Sequence, residues 1–193
     1  MTFSADLDRR FREAAHALRL LDVGFDVLAS PVGDLLVAAS ESGLAWITFD
    51  PEPERDLERL ARIAGPRVLR SPRSVSVVHR ELDEYFARSR RSFDLPLDLR
   101  ALPPFTVSVL RELARVPYGQ TVTYAELAAR VGRPRAARAV GTVLNRNRMP
   151  IVLPCHRVVG SSGGLVGYAG GLERKVALLE LEGALDAGDR LLE

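Results

Sequence analysis

Apolar residues recur at helical spacing over residues 4–21, where Leu7, Phe11, Ala14, Ala15, Leu18 and Leu21 form one stripe. His16 falls off that stripe and reads as a surface histidine. The pattern then changes. FDVLASPVGDLLVAASESGLAWITFD has strand-like apolar runs broken at Pro-Val-Gly-Asp and Glu-Ser-Gly, which predicts a three-stranded antiparallel meander. EPERDLERLARIAG returns to helical spacing and ends at Gly65. SVSVVHRELDEYFARS predicts a further helix with Val75, Val78, Leu82, Tyr85 and Phe86 facing inward, and His79 sits there among charged neighbours.

SFDLPLDLRALPP interrupts both periods. Its prolines cannot continue a helix or a central strand, so it reads as a linker. Beyond it, FTVSVLRELARV predicts a helix carrying Phe105, Val109, Leu110 and Leu113, stopped by Pro117-Tyr118-Gly119. In TYAELAARVGRPRAARAVGTVLNRN, Thr123 and Glu126 have capping-box spacing at the start of a short helix with Leu127, Ala128 and Val131 inside. Gly132-Arg133-Pro134 turns the chain into a second helix holding Ala136, Ala137, Val140, Val143 and Leu144. Two short helices, a glycine turn and a basic second helix have the form of a helix-turn-helix. The pattern predicts an α+β protein: an N-terminal α/β domain over 1–100 with a small antiparallel sheet, then a mostly helical domain over 101–193.

Composition narrows the class. With 47% hydrophobic residues the chain is globular, and no apolar run approaches the roughly 18 residues that span a bilayer. The N-terminus has acids among its basic residues and no unbroken apolar core, so no signal peptide is read there. A single cysteine forms no internal disulfide and suits a reducing, cytoplasmic setting. His16, His79 and His156 are too scattered to suggest a metal site. Charge is uneven: residues 1–100 hold 15 arginines against 17 acids, and residues 101–193 hold 12 basic residues against 8. Arg130–Arg157 contains seven arginines and no carboxylate. That run reads either as a solvated basic face or as a surface for a polyanion, and the lack of acids favours the second.

The single cysteine stands in IVLPCHRVVG. A free cysteine is often an inert buried side chain. Here His156 and Arg157 follow it directly, and a reactive thiolate needs a base or a positive potential. Along an extended strand Cys155 and His156 would point to opposite faces, so cooperation requires a bend or a bridging water. A third group would have to orient the imidazole.

PYGQTVTYAELA, RAARAVGTVLNRN and PCHRVVGSSGGLVGYAGGLERKVALLELEG resemble the O6-alkylguanine-DNA alkyltransferases over about residues 104–183. The N-terminal half is similar through its strand and helix order and SFDLPLDL, which implies a ribonuclease-H-like fold there. The resemblance implies that Cys155 accepts an alkyl group from O6 of guanine, and from O4 of thymine, irreversibly and once per protein. His156 would take the thiol proton through a water, with Glu182 orienting it and Asn147 completing the network; Asn145 is a second candidate. Tyr124 would serve guanine N3. Arg138 would fill the stack after the nucleotide is flipped out, and Thr123, Arg135, Ala136 and Ala137 would face DNA, the second helix entering the minor groove. Tyr168, Val158, Ala169 and Gly170 would line the pocket.

The resemblance further implies no cofactor, no metal and no membrane. The partner would be double-stranded DNA containing O6-alkylguanine, the protein a monomer in the cytoplasm, on the nucleoid when bound. The chain departs from the family's pattern at Arg148, often proline, at Ala169, often serine, and at Thr106 and Leu110. Two other readings stay open: a non-repairing binder of alkylated DNA, disfavoured by the cysteine, and a thiol hydrolase using Cys155 and His156. The glycines at 160, 163, 164, 167, 170 and 171 do not follow a strand in a phosphate-binding arrangement.

Overall fold

The structure, a computed structural model, describes residues 5–18 and 20–185. These divide into two compact units, one up to Asp83 together with Asp94–Ala101, the other Glu84–Phe93 together with Leu102 onward.

In the first unit, β1 (Val23–Leu28), β2 (Leu35–Ser40) and β3 (Gly43–Phe49) form the expected meander. A fourth strand, β4 (Val68–Arg70), joins in parallel beside β1, so the sheet order is β3-β2-β1-β4 and the sheet is mixed rather than wholly antiparallel. Three residues are too few for alternation to announce a strand. Helix α2 (Pro53–Ala64) closes at Gly65 as its sequence predicts, and Leu60 meets Val23, Leu36 and Ala38 in the core. The Pro-rich stretch is no free linker. Leu97 bridges Leu44, whose N–H donates to the Pro96 carbonyl at 2.8 Å. Gly43 permits this approach: its φ is +122° and a Cβ there would stand 2.1 Å from that carbonyl oxygen.

Helix α1 (Ala5–Ala17) forms as predicted, but its stripe is not buried. Ala15 is buried, whereas Leu7, Phe11 and Leu18 are 49%, 62% and 68% exposed. Periodicity reports that a helix has an apolar face, not that another element covers it. The reading of His16 as a surface histidine concerns a side chain outside the described residues. Helix α3 (Ser76–Phe86) buries Val78, Leu82 and Tyr85, as its spacing requires.

In the second unit, α4 (Pro104–Leu113) buries Val109, Leu110 and Leu113. It is followed by β5 (Val122–Thr123), α5 (Tyr124–Arg130), α6 (Ala137–Asn145), β6 (Val158–Val159) and α7 (Leu172–Glu182). The two-residue strands β5 and β6 pair in parallel, Val122 with Val158 and Thr123 with Val159. That pairing sets the start of α5 beside the segment that follows Cys155. Gly183, at φ +70°, ends α7 directly after Glu182.

Candidate active site and nucleic-acid interface

Cys155, His156 and Arg157 form one turn of 3-10 helix between Pro154 and β6. The bend that cooperation between neighbours requires is therefore present. In a 3-10 turn successive side chains diverge by about 120° instead of alternating across a strand. All three are buried. The approach is held by short-range bonds, Leu153 N–H to the Met149 carbonyl at 2.8 Å and Arg157 N–H to the Pro154 carbonyl at 3.0 Å. Ile151 in this segment has φ +72°, a left-handed conformation that is costly for a β-branched residue.

His156 Nε2 lies 2.8 Å from Glu182 Oε1. Burial raises the Glu182 carboxyl, but hydrogen bonds from His156 and Arg157 overrule it and hold the group to about 2, so it is ionised near neutrality. An ionised carboxylate only accepts, hence Nε2 carries the proton and the lone pair of the neutral ring is on Nδ1. Burial keeps the ring neutral, pushing His156 below the usual histidine value against the pull of Glu182. His156 Nδ1 is buried and has no hydrogen-bond partner among the described residues.

Glu182 sits in the last turn of α7, where the helix dipole disfavours a carboxylate. Several donors offset this. Arg157 grips it with Nε on Oε2 at 2.8 Å and Nη2 on Oε1 at 2.9 Å, while Nη1 donates to the Val116 carbonyl at 2.6 Å. The Tyr85 hydroxyl donates to Oε1 at 2.7 Å. The Gly119 N–H approaches Oε2 at 3.4 Å, and only glycine suits that position: φ is +73°, and a Cβ would come within 2.9 Å of the Glu182 carbonyl oxygen.

Around the thiol, Asn147 Nδ2 lies 3.1 Å from Cys155 Sγ and 2.9 Å from the Leu153 carbonyl, and Asn147 Oδ1 accepts from Met149 N–H at 3.0 Å. Asn145 is an exposed residue at the end of α6, so Asn147 is the asparagine beside the sulfur. Burial pushes the Cys155 thiol up; hydrogen bonds from Asn147 and Tyr168 and the charge of Lys175 pull it back. Lys175 is itself buried, donating Nζ to the Val158 carbonyl at 2.7 Å and the Val166 carbonyl at 2.9 Å, and burial lowers it to about 8. Tyr124 and Tyr168 are both raised, first by burial and then by the neighbouring Cys155 charge. Val158 is buried in β6, while Gly170 is half-buried and Ala169 exposed on the loop before α7.

The helix-turn-helix is formed by α5 and α6. The capping box is complete: Glu126 N–H donates to Thr123 Oγ1 at 3.1 Å, and Thr123 N–H donates back to Glu126 Oε2 at 2.7 Å. The Thr123 hydroxyl also donates to that carboxylate at 2.8 Å. Ala136, expected inside the second helix, caps it instead, since α6 begins at Ala137. A Cβ on Gly141 would lie 3.7 Å from the Tyr124 ring, so α6 packs close to that tyrosine. Arg130, Arg133, Arg135, Arg138 and Arg146 are exposed and Arg148 half-buried. Arg157, the seventh arginine of the acid-free run, is instead buried on Glu182.

Arg157, Tyr85 and Lys175 were not among the expected site residues. Arg157 is signalled by its place next to Cys155 and His156, and Lys175 by being the sole lysine in the chain. Tyr85 gives no local signal, since it also fits a helix core.

Two family models match the chain: the DNA-binding domain of 6-O-methylguanine DNA methyltransferase over residues 104–184, and the ribonuclease-like domain of the same family over residues 25–99. A methylated-DNA–protein-cysteine methyltransferase of Methanosarcina barkeri is 42% identical over 159 residues, covering 82% of this chain and 96% of the relative. One from Mycobacterium bovis is 39% identical over 160 residues, covering 83% and 92%. The crystal structure of the Mycobacterium tuberculosis O6-methylguanine methyltransferase superposes with a TM-score of 0.72 at 38% identity, over 86% of this chain and 96% of that one. The Mycobacterium tuberculosis protein solved in complex with DNA gives 0.73 at 38% identity, over 83% and 93%. With both domain models matched in order and relatives covered almost end to end, this chain belongs to the methylated-DNA–protein-cysteine methyltransferases.

Proposed function

We propose that this protein repairs DNA by moving an alkyl group from O6 of guanine, or O4 of thymine, onto Cys155, where it stays. The carrying observation is that the chain's only cysteine lies against Asn147 and next to a buried imidazole whose Nε2 is committed to Glu182 and whose Nδ1 is left for a proton. The thiol proton passes to His156 Nδ1 through a water, and Glu182 stabilises the imidazolium, as an orienting carboxylate does in other acid–base relays. The thiolate attacks the alkyl carbon, the carbon–O6 bond breaks, and its electron pair goes to the guanine. Tyr124, near the sulfur, passes its hydroxyl proton to guanine N3 as the base leaves and is reprotonated from the His156 imidazolium through water, so the proton lost by the thiol ends on the guanine and both side chains return to neutral.

The target atom is inaccessible inside the stack, so the nucleotide must be extruded, at a cost of a few kcal/mol. Exposed Arg138 on α6 fills the gap. Thr123, Arg135, Ala136 and Ala137 lie on the DNA side, where small side chains let the helix approach the backbone and arginines meet phosphates. Thr123 contributes mainly through its cap, because its hydroxyl is bonded to Glu126. Tyr168, Val158, Ala169 and Gly170 wall the pocket, and Ala169, which has no hydroxyl, can offer only its backbone N–H to O6.

The partner on this reading is double-stranded DNA containing O6-alkylguanine, met in the cytoplasm and on the nucleoid by a monomer that needs no cofactor. Among the described residues no helix is long and apolar enough to cross a membrane and no cluster of ligand-type side chains stands ready for a metal.

The test is a titration. Increasing amounts of O6-methylguanine duplex are given to a fixed amount of protein, and lesion loss should stop at one per protein. Repeated turnover would instead support the thiol hydrolase. The relay also fixes the pH dependence. His156 must be neutral to accept the proton, and burial lowers its pKa. The transfer rate should therefore be flat near neutrality and fall with acid only below the ordinary histidine value of about 6.5. His156→Ala should slow transfer by about a hundredfold or more at pH 7, the worth of a positioned general base.

A further inference from the structure

We propose that Tyr85 is a positioning residue of the alkyl-transfer site: its hydroxyl fixes Glu182 Oε1, the oxygen that His156 Nε2 bonds, and through it the orientation of the imidazole. The proposal rests on the relay reading above and adds a member from outside the matched DNA-binding region. Tyr85 lies in the last turn of α3, within the range matched by the ribonuclease-like model, yet it belongs to the same compact unit as Cys155 and Glu182.

Glu182 Oε1 receives three donors: Tyr85 Oη at 2.7 Å, His156 Nε2 at 2.8 Å and Arg157 Nη2 at 2.9 Å. Arg157 spans both oxygens and sets the carboxylate plane. Tyr85 bonds only the oxygen that faces the histidine. Its ring is fully buried and held by Phe86, Phe93 and Tyr118, with centroids 5.3, 5.4 and 6.0 Å away. Tyr118 in turn donates its hydroxyl to the Leu181 carbonyl at 3.0 Å, next to Glu182. A side chain with two torsions, packed on aromatic faces, is a stiff post for a carboxylate.

The hydroxyl acts there as a donor. Burial, reinforced by the Glu182 charge, drives its ionisation far above the ordinary tyrosine value. Each donor on a carboxylate withdraws charge and makes it a weaker base. Without the Tyr85 hydroxyl, Glu182 would attract the His156 proton more strongly and favour the imidazolium. His156 would then become neutral only at higher pH.

The experiment uses the full-length protein and free O6-benzylguanine, which isolates the chemical step from DNA binding. Transfer rates are measured from about pH 5 to 9 for wild type, Tyr85→Phe, Glu182→Gln and the double variant. Tyr85→Phe keeps the ring and should slow transfer about three- to tenfold while moving the acid limb to higher pH. In the Glu182→Gln background the same change should have no further effect. A ring-fluorinated tyrosine placed at 85 keeps the shape, donates more strongly, and should move the limb to lower pH; it also serves if Tyr85→Phe folds poorly. If Tyr85→Phe reproduces the wild-type rate and profile while Glu182→Gln is slow, or if the two losses simply multiply, Tyr85 is a packing residue and the relay reading survives without it. If Glu182→Gln itself transfers at the wild-type rate, the relay falls, and this proposal with it.

Discussion

Cys155→Ser is expected to bind alkylated duplex with nearly wild-type affinity and to transfer nothing. The substitution removes one atom's chemistry and almost no volume from a buried position. A serine hydroxyl is far harder to ionise than a thiol, and His156, neutral and held by a single carboxylate, cannot make up the difference. The exposed arginines of α5, α6 and the turn between them are untouched. Binding is measured by titrating labelled duplex and transfer by release of alkyl label. Residual transfer near the wild-type rate would place the acceptor elsewhere. Loss of DNA binding would show instead that the Pro154–Val158 turn had collapsed.

Arg138→Ala is expected to slow repair of duplex DNA by about 30-fold, equivalent to about 2 kcal/mol of the extrusion cost, and to leave the reaction with free O6-benzylguanine almost unchanged. Arg138 is exposed in the first turn of α6. If it touched only a phosphate, every DNA would bind more weakly by the same factor and the salt dependence would fall by about one counterion. If it fills the stack, the loss concentrates on paired lesions, and a mismatch opposite the lesion recovers part of it because less pairing must be broken. Arg138→Lys should restore the charge without the planar stacking surface. An equal loss on duplex and free base would mean that Arg138 supports the pocket or the fold.

What could be read from the sequence depended on how far apart the interacting residues lie along the chain. Thr123 and Glu126 are three residues apart, and their capping box is present as spacing predicts. The meander of β1 to β3 is likewise a local pattern. Strand β4 is too short to alternate, and β5 and β6 exist only because residues 36 apart pair in parallel. The Pro-rich stretch has linker composition, but Gly43 lets Pro96 pack against the edge of the sheet. At the site, Cys155, His156 and Arg157 announce themselves by adjacency. Whether they cooperate depends on a 3-10 turn that no alternation rule supplies. Glu182 as the third member came from family resemblance, since a single acid at a helix end carries no chemical signature. Tyr85 is separated from Glu182 by 97 positions and patterns as a core residue, so only the folded chain reveals its bond.

The acceptor itself is the most direct test. Protein incubated with O6-methylguanine duplex is weighed intact and then digested and mapped. The expected result is a gain of one methyl group, about 14 Da per chain, confined to the peptide that contains Cys155 and absent from Cys155→Ser. An unchanged mass while the lesion disappears, or a methyl group on any other peptide, would contradict it.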